Sequence, residues 1–157
     1  MHFIQYIFGF ISGDFFKLHA QIQVNIRTII PKIPGINKQN VVLASDILTG
    51  KVQAGKNTVV CGGGMIGGET ATHLAMTKRL DFNNRQVTVI EIKSDIAVDE
   101  EYTRRIELYK LLDELKINLM TDTKVVEIQD DGVVVEVNGE LEKLSCETIV
   151  LAIWLFT

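Results

Sequence analysis

Proline is almost missing from this chain, and its two residues, Pro31 and Pro34, fall within four positions of each other. With Gly35 they mark the best candidate boundary. Cysteine is equally scarce. Cys61 and Cys146 lie far apart and form neither a CxxC pair nor a metal-ligand spacing. Cys61 closes an apolar run, where a small buried thiol fits, so a reduced core cysteine is expected. His2, His19 and His73 are isolated, and no metal site is expected. Basic tracts are also lacking. The net charge is −4 with no run of Lys or Arg, which argues against the phosphate-neutralising surface of a nucleic-acid binder. No apolar run is long enough for a membrane span. The longest, Phe3 to Ile11, is about half of the ~20 residues a spanning helix needs. Asp14 and Lys17 follow it, and neither a basic leader nor a small-residue cleavage site is present. A cytoplasmic location is expected.

Aromatic residues are sparse except at the start, where Phe3, Tyr6, Phe8, Phe10, Phe15 and Phe16 crowd together. Residues 1–28 therefore stand apart in composition. A strand, a docking helix and a sticky appendage all remain open for the Phe-rich part. Residues 21–30 alternate polar and apolar, as a strand does. After the prolines, Val41 to Leu43 reads as a short strand, and Ser45 or Asp46 as the cap of a brief helical turn running to Gly50.

The pattern sharpens from Asn57. Thr58 to Cys61 is an apolar strand, Gly62 to Gly64 a tight turn, and Ile66 to about Arg79 a helix with Ile66, Thr70, Leu74 and Thr77 on one face. LDFNNR (80–85) is a loop in which Asn83 or Asn84 suits the left-handed conformation. Gln86 to Ile92 is a second strand. Asp99 to Lys116 is a helix striped by Ile106, Leu108, Leu111, Leu112 and Leu115, with acids at its positive end. A strand at Ile117 to Met120 follows. A hairpin of Lys124–Gln129 and Val133–Val137 turns at Asp130-Asp131-Gly132, and Asn138-Gly139 makes a second turn. Leu141 to Leu144 continues the meander, and Thr148 to Ile153 is a buried closing strand. The order predicts a Rossmann-like α/β domain in three layers: a parallel sheet with helices on one face and a β-meander on the other.

Chemistry enters through Gly62-Gly63-Gly64-Met65-Ile66-Gly67, which satisfies GxGxxG. Gly62 permits the turn, Gly64 lets a pyrophosphate approach the backbone, and Gly67 lets the helix pack closely. The helix N-terminus offers N–H groups and partial positive charge to phosphates. The second strand ends in an acid, Glu91, 24 residues after Gly67. A carboxylate there accepts bonds from both adenosine ribose hydroxyls and repels a 2′-phosphate. NAD is favoured over NADP on that ground, while Lys93, two residues on, is the feature that would attract such a phosphate. Ile92 belongs to the same stretch. Glu69, one turn into the helix, is either a surface glutamate or a group facing the nicotinamide end. No nucleophile with a partnered base is found, so no catalytic residue is assigned.

The segments PKIPGI (31–36), VVLASDILTGK (41–51), NTVVCGGGMIGGETATHLA (57–75), VTVIEI (87–92) and ETIVLAI (147–153) come in a familiar order. Over about residues 29–153 the chain resembles the C-terminal region of NADH:flavin oxidoreductases related to old yellow enzyme, such as dienoyl-CoA reductase, trimethylamine dehydrogenase and bile-acid enoate reductase. The resemblance implies that 57–153 contains an NAD(P)-binding domain and that 29–56 is part of a connection to an FAD domain. It implies Gly62, Gly64, Met65, Ile66 and Gly67 as the pyrophosphate loop, Glu69 near the nicotinamide, Glu91 as the ribose acid and Val125 on the adenine side. The flavin barrel, the cluster cysteines and the FAD domain's own glycine loop have no counterpart here. Trp154 replaces a glycine expected along the cofactor. A fragment of a larger enzyme is therefore expected, acting with a flavin-bearing partner or self-associating. A non-catalytic nucleotide-binding module, an inert remnant and, more distantly, a methyltransferase-like domain remain as alternatives.

Overall fold

The computed structural model describes residues 30–77 and 85–153. Several expectations lie outside these residues: the Phe-rich segment, the strand at 21–30 apart from Ile30, the helix end at 78–79, the loop at 80–84 with its left-handed Asn83 or Asn84, and Trp154. The elements run β1 (Val41–Leu43), α1 (Ala44–Leu48), β2 (Asn57–Cys61), α2 (Met65–Met76), β3 (Gln86–Ile90), α3 (Tyr102–Glu114), β4 (Asn118–Met120), β5 (Thr123–Gln129), β6 (Gly132–Val137), β7 (Glu140–Ser145) and β8 (Thr148–Leu151).

Five strands form a parallel sheet in the order β1-β8-β2-β3-β4. The last strand of the described residues, β8, is thus inserted between β1 and β2, with Ile149 opposite both Val41 and Val59. The remaining three, β5-β6-β7, make an antiparallel meander. Alternation along the parallel strands builds two cores, because successive side chains point to opposite faces. Val60, Val87, Val89 and Val150 pack with Leu74, Leu108 and Leu112 from the helices. Val59, Cys61, Ile90, Ile149 and Leu151 pack with Ile128, Val133 and Val135 of the meander. The domain is therefore the three-layer α/β arrangement expected.

Several boundaries differ from the expected ones. Ser45 and Asp46 do not cap α1. They lie inside it, and Leu43 holds the cap position without a side-chain bond. The α2 helix stops at Met76, where Thr77 turns extended while its N–H donates to the His73 carbonyl. The acids 99–101 precede α3 instead of occupying its first turn. Strand β3 ends at Ile90, so Glu91 and Ile92 belong to the loop after it. The first hairpin turns on Asp130-Asp131 alone, since Gly132 already pairs with Gln129. Asn138 (φ 53°) and Gly139 (φ 82°) both take positive φ, the signature of a type I′ hairpin turn.

Strands β2 and β3 run side by side in register, with Cys61 opposite Ile90. Their carboxyl ends therefore open at the same edge. This places the glycine turn and Glu91 beside each other, in the crevice where open α/β sheets hold ligands.

Candidate functional site

The glycine turn is fixed by backbone geometry. Gly62 has φ 111°, and its N–H donates to the Ile90 carbonyl at 2.9 Å. A β-carbon there would stand 2.7 Å from the Ala152 carbonyl oxygen. Gly67 meets the turn from the helix side, and a β-carbon on it would fall 1.8 Å from the Gly62 oxygen. Gly64 is different. It is the cap residue of α2, and the space its side chain would fill is open to 4 Å. No side chain caps that helix end, and its first turn carries no acid. The first-turn N–H groups, beginning with Met65 and Ile66, are thus left for an anion lying over Gly64.

Glu91 sits across from this turn. Its Oε2 accepts the Gly63 N–H at 2.7 Å and its Oε1 accepts the Lys93 N–H at 2.9 Å. Two backbone donors fix the carboxylate while each oxygen keeps further acceptor capacity. Lys93 points its ammonium to Asp99, at 3.2 Å, and both side chains are largely exposed. Ile92, 64% exposed, presents an apolar surface beside the acid.

The structure thus brings Gly62, Gly63, Gly64, Met65, Ile66, Gly67, Glu91, Ile92 and Lys93 to one edge. Two other expected residues lie further along α2 and on β5. Glu69 is half-buried in the second turn of α2, and its carbonyl accepts the Thr72 hydroxyl at 2.8 Å. Val125 lies on β5, packed against the meander-side core. On the same strand Thr123 reaches the site, its N–H donating to the Glu91 carbonyl at 3.0 Å.

Sequence reasoning missed the loop that follows Glu91. Ile96 and Ala97 are buried, and the Ala97 N–H donates to the Gly63 carbonyl at 2.8 Å. Asp95 accepts bonds from Tyr109 and Arg105 on α3. The Tyr109 hydrogen bond comes first among the influences holding its carboxyl below the usual range. Arg105 and Tyr109 stand four residues apart, on one helical face, and that spacing was the available signal.

The two thiols take no part in the site. Burial, with a smaller contribution from Cys146, pushes the Cys61 thiol up to about 12, and burial pushes Cys146 up to about 11. Both stay protonated near neutrality and lack thiolate reactivity. Among the described residues, no group of three His, Cys, Asp or Glu side chains could hold a metal ion. Among the same residues, no helix is long and apolar enough to cross a membrane.

A parallel sheet, a glycine turn opening a helix, and an acid after the next strand define a dinucleotide-binding α/β domain. Known proteins carry the assignment further. The profile of the pyridine nucleotide-disulphide oxidoreductases matches residues 26–156, and the chain belongs to that family. This narrows the resemblance drawn from sequence: the match is to the dinucleotide-domain family, not to the old yellow enzyme family. An NADH oxidase of Thermoanaerobacter brockii is 37% identical over 130 residues, covering 80% of this chain and 19% of that protein. A bilirubin reductase of Mediterraneibacter gnavus is 31% identical over 132 residues, covering 84% of this chain and 20% of the relative. Among solved structures, a 2-naphthoyl-CoA reductase complex matches with a TM-score of 0.73 and 30% identity, over 81% of this chain and 18% of its own. The chain thus spans about a fifth of the length of these relatives.

Proposed function

We propose that residues 57–153 bind NAD(H) and present it to a flavin carried outside the described residues. The observation that carries this reading is the Glu91 carboxylate, held by the Gly63 and Lys93 N–H groups beside the open face of Gly64. The residues present fit the cofactor. A pyrophosphate suits the uncapped start of α2 and the space over Gly64. The free acceptor sites of Glu91 suit two ribose hydroxyls, and Ile92 offers a surface to adenine. When bound, the nicotinamide supplies a hydride. This chain's residues bind and orient it. Glu69 is assigned to the nicotinamide side and Val125 to the adenine side.

NAD is preferred to NADP in this reading. Glu91 repels a 2′-phosphate, and the cation that would welcome one, Lys93, is paired with Asp99. The names of the relatives, an NADH oxidase and several reductases, support an electron-entry role. We further assign the parent enzyme to the flavin-dependent NAD(P)H oxidoreductases, in which hydride passes to FAD. A flavin-bearing protein segment is the partner, and the cytoplasm the location.

Calorimetric titration with NADH and NADPH tests the proposal. NADH is expected to bind at least about tenfold more tightly than NADPH, and Glu91→Gln to remove most of that preference, since a charge-assisted bond contributes roughly 1.5–3 kcal/mol. Equal affinity for the two nucleotides would refute the assignment of Glu91, and no saturable binding of either would refute the binding function.

A further inference from the structure

The loop after β3 is held down by a cluster that cofactor contact does not require. One carboxylate, Asp95, accepts from the Tyr109 hydroxyl, from the Arg105 guanidinium and, at 2.8 Å, from the Ile96 N–H. It thereby ties the loop to α3. The two residues that follow are buried, Ile96 to 1% and Ala97 to 4%. Ala97 has φ 48°, in the left-handed region that a β-carbon disfavours. Held in that conformation, its N–H reaches the Gly63 carbonyl at 2.8 Å. The Gly63 N–H in turn donates to Glu91 Oε2 at 2.7 Å. A β-carbon on Gly63 would meet Ile96 Cγ2 at 2.8 Å and the Glu91 Cβ at 2.7 Å. Loop, glycine turn and acid are therefore pressed together without slack, and the chain of contacts runs from α3 to Glu91.

We propose that Asp95 is a positioning residue for the adenosine end of the site: it clamps the 93–98 loop onto Gly63 and so fixes the Glu91 carboxylate relative to the start of α2. The inference rests on Glu91 being the ribose acid. A carboxylate held by fixed donors meets a ribose diol with little ordering still to be done. Release of the clamp frees the Gly63 carbonyl, loosens the donor that holds Oε2, and weakens both the attraction for the diol and the exclusion of a 2′-phosphate. Asp95 thus acts on nucleotide choice without touching the nucleotide.

The test uses Asp95→Ala, Asp95→Asn and Tyr109→Phe in the full chain, with NADH and NADPH titrations and amide hydrogen exchange at Gly63. In D95A the NADH Kd should rise about tenfold with the NADPH Kd within about twofold of wild type, and Gly63 exchange should quicken. D95N, which keeps an acceptor for Tyr109, should recover part of the preference. On an E91A background, D95A should change NADH binding by less than about twofold, because Asp95 acts through Glu91. Equal weakening of both nucleotides, or full additivity with E91A, would overturn the proposal and leave Asp95 a structural residue only. Should D95A fail to fold, Y109F decides, with a smaller loss of preference expected and an unchanged ratio contradicting. Should wild type bind neither nucleotide, the reading of Glu91 falls. The Gly63 exchange then judges the clamp alone, and unchanged exchange in D95A rejects it.

Discussion

Gly64 and Gly67 stand three residues apart in one motif and face opposite demands. Around Gly64 there is room, and its φ of −68° is one that any residue adopts. Gly64→Ala should therefore cost less than about 1 kcal/mol of stability in urea denaturation, the scale of a cap substitution, yet weaken NADH binding at least tenfold by filling the pyrophosphate's approach. Gly67→Ala meets the Gly62 carbonyl at 1.8 Å. It should cost about 1–3 kcal/mol or more, as overpacking does, whether or not nucleotide is present. GxGxxG was legible as a motif, but spacing alone does not separate the glycine that serves the ligand from the glycine that serves the fold. The buried thiols give a second test. Their folded pKa values lie above the ordinary 9.0, near 12 and 11, so the neutral thiol is favoured in the folded state. Their contribution is complete below pH 9 and is lost as pH rises towards 11–12. Urea midpoints should fall more steeply above pH 9 in wild type than in Cys61→Ala, although that variant is less stable at pH 7.

Elements with their own periodicity or turn chemistry were readable in advance. The Asn138-Gly139 turn is the clearest case, because a two-residue hairpin needs positive φ at both positions. Gly139→Ala, which keeps φ 82° only under strain, should cost about 1 kcal/mol in thermal or urea unfolding, with cofactor affinity unchanged. Elements whose limits are set by tertiary contacts were less readable. The acids 99–101 promised the start of α3, but Lys93 draws Asp99 into an ion pair and Glu100 pairs with Arg104, and the helix begins after them. The loop from Ile92 to Val98 carries no periodic signal at all. Its shape comes from Asp95 meeting two side chains of α3 and from Ile96 filling the space over Gly63. The α3 partners lie ten and fourteen residues away in the chain, and Gly63 lies further off still.

For the whole molecule, the two-faced sheet followed from alternation. Val60 and Val150 face the helices, while Val59, Ile149 and Leu151 face the meander. The insertion of β8 between β1 and β2 was not written in any local pattern, because strand order depends on long-range pairing. That insertion pairs β1 with β8 and, with the Ile128 N–H bond to the Pro34 carbonyl and the burial of Ala44 and Ile47, joins the 31–51 segment to the domain. It also supplies the Ala152 carbonyl against which Gly62 is fitted. The chain matches about a fifth of its relatives' length, and the electron-entry role proposed for it needs only the one edge where β2 and β3 end. The most direct test of that role is an amide NMR titration of the protein with NADH. Saturable shifts concentrated at Gly63, Gly64, Met65, Ile66 and Ile92, with the meander amides of β6 and β7 unmoved, are the expected result. Shifts spread over β6 and β7, or no saturable change at the glycine turn, would contradict it.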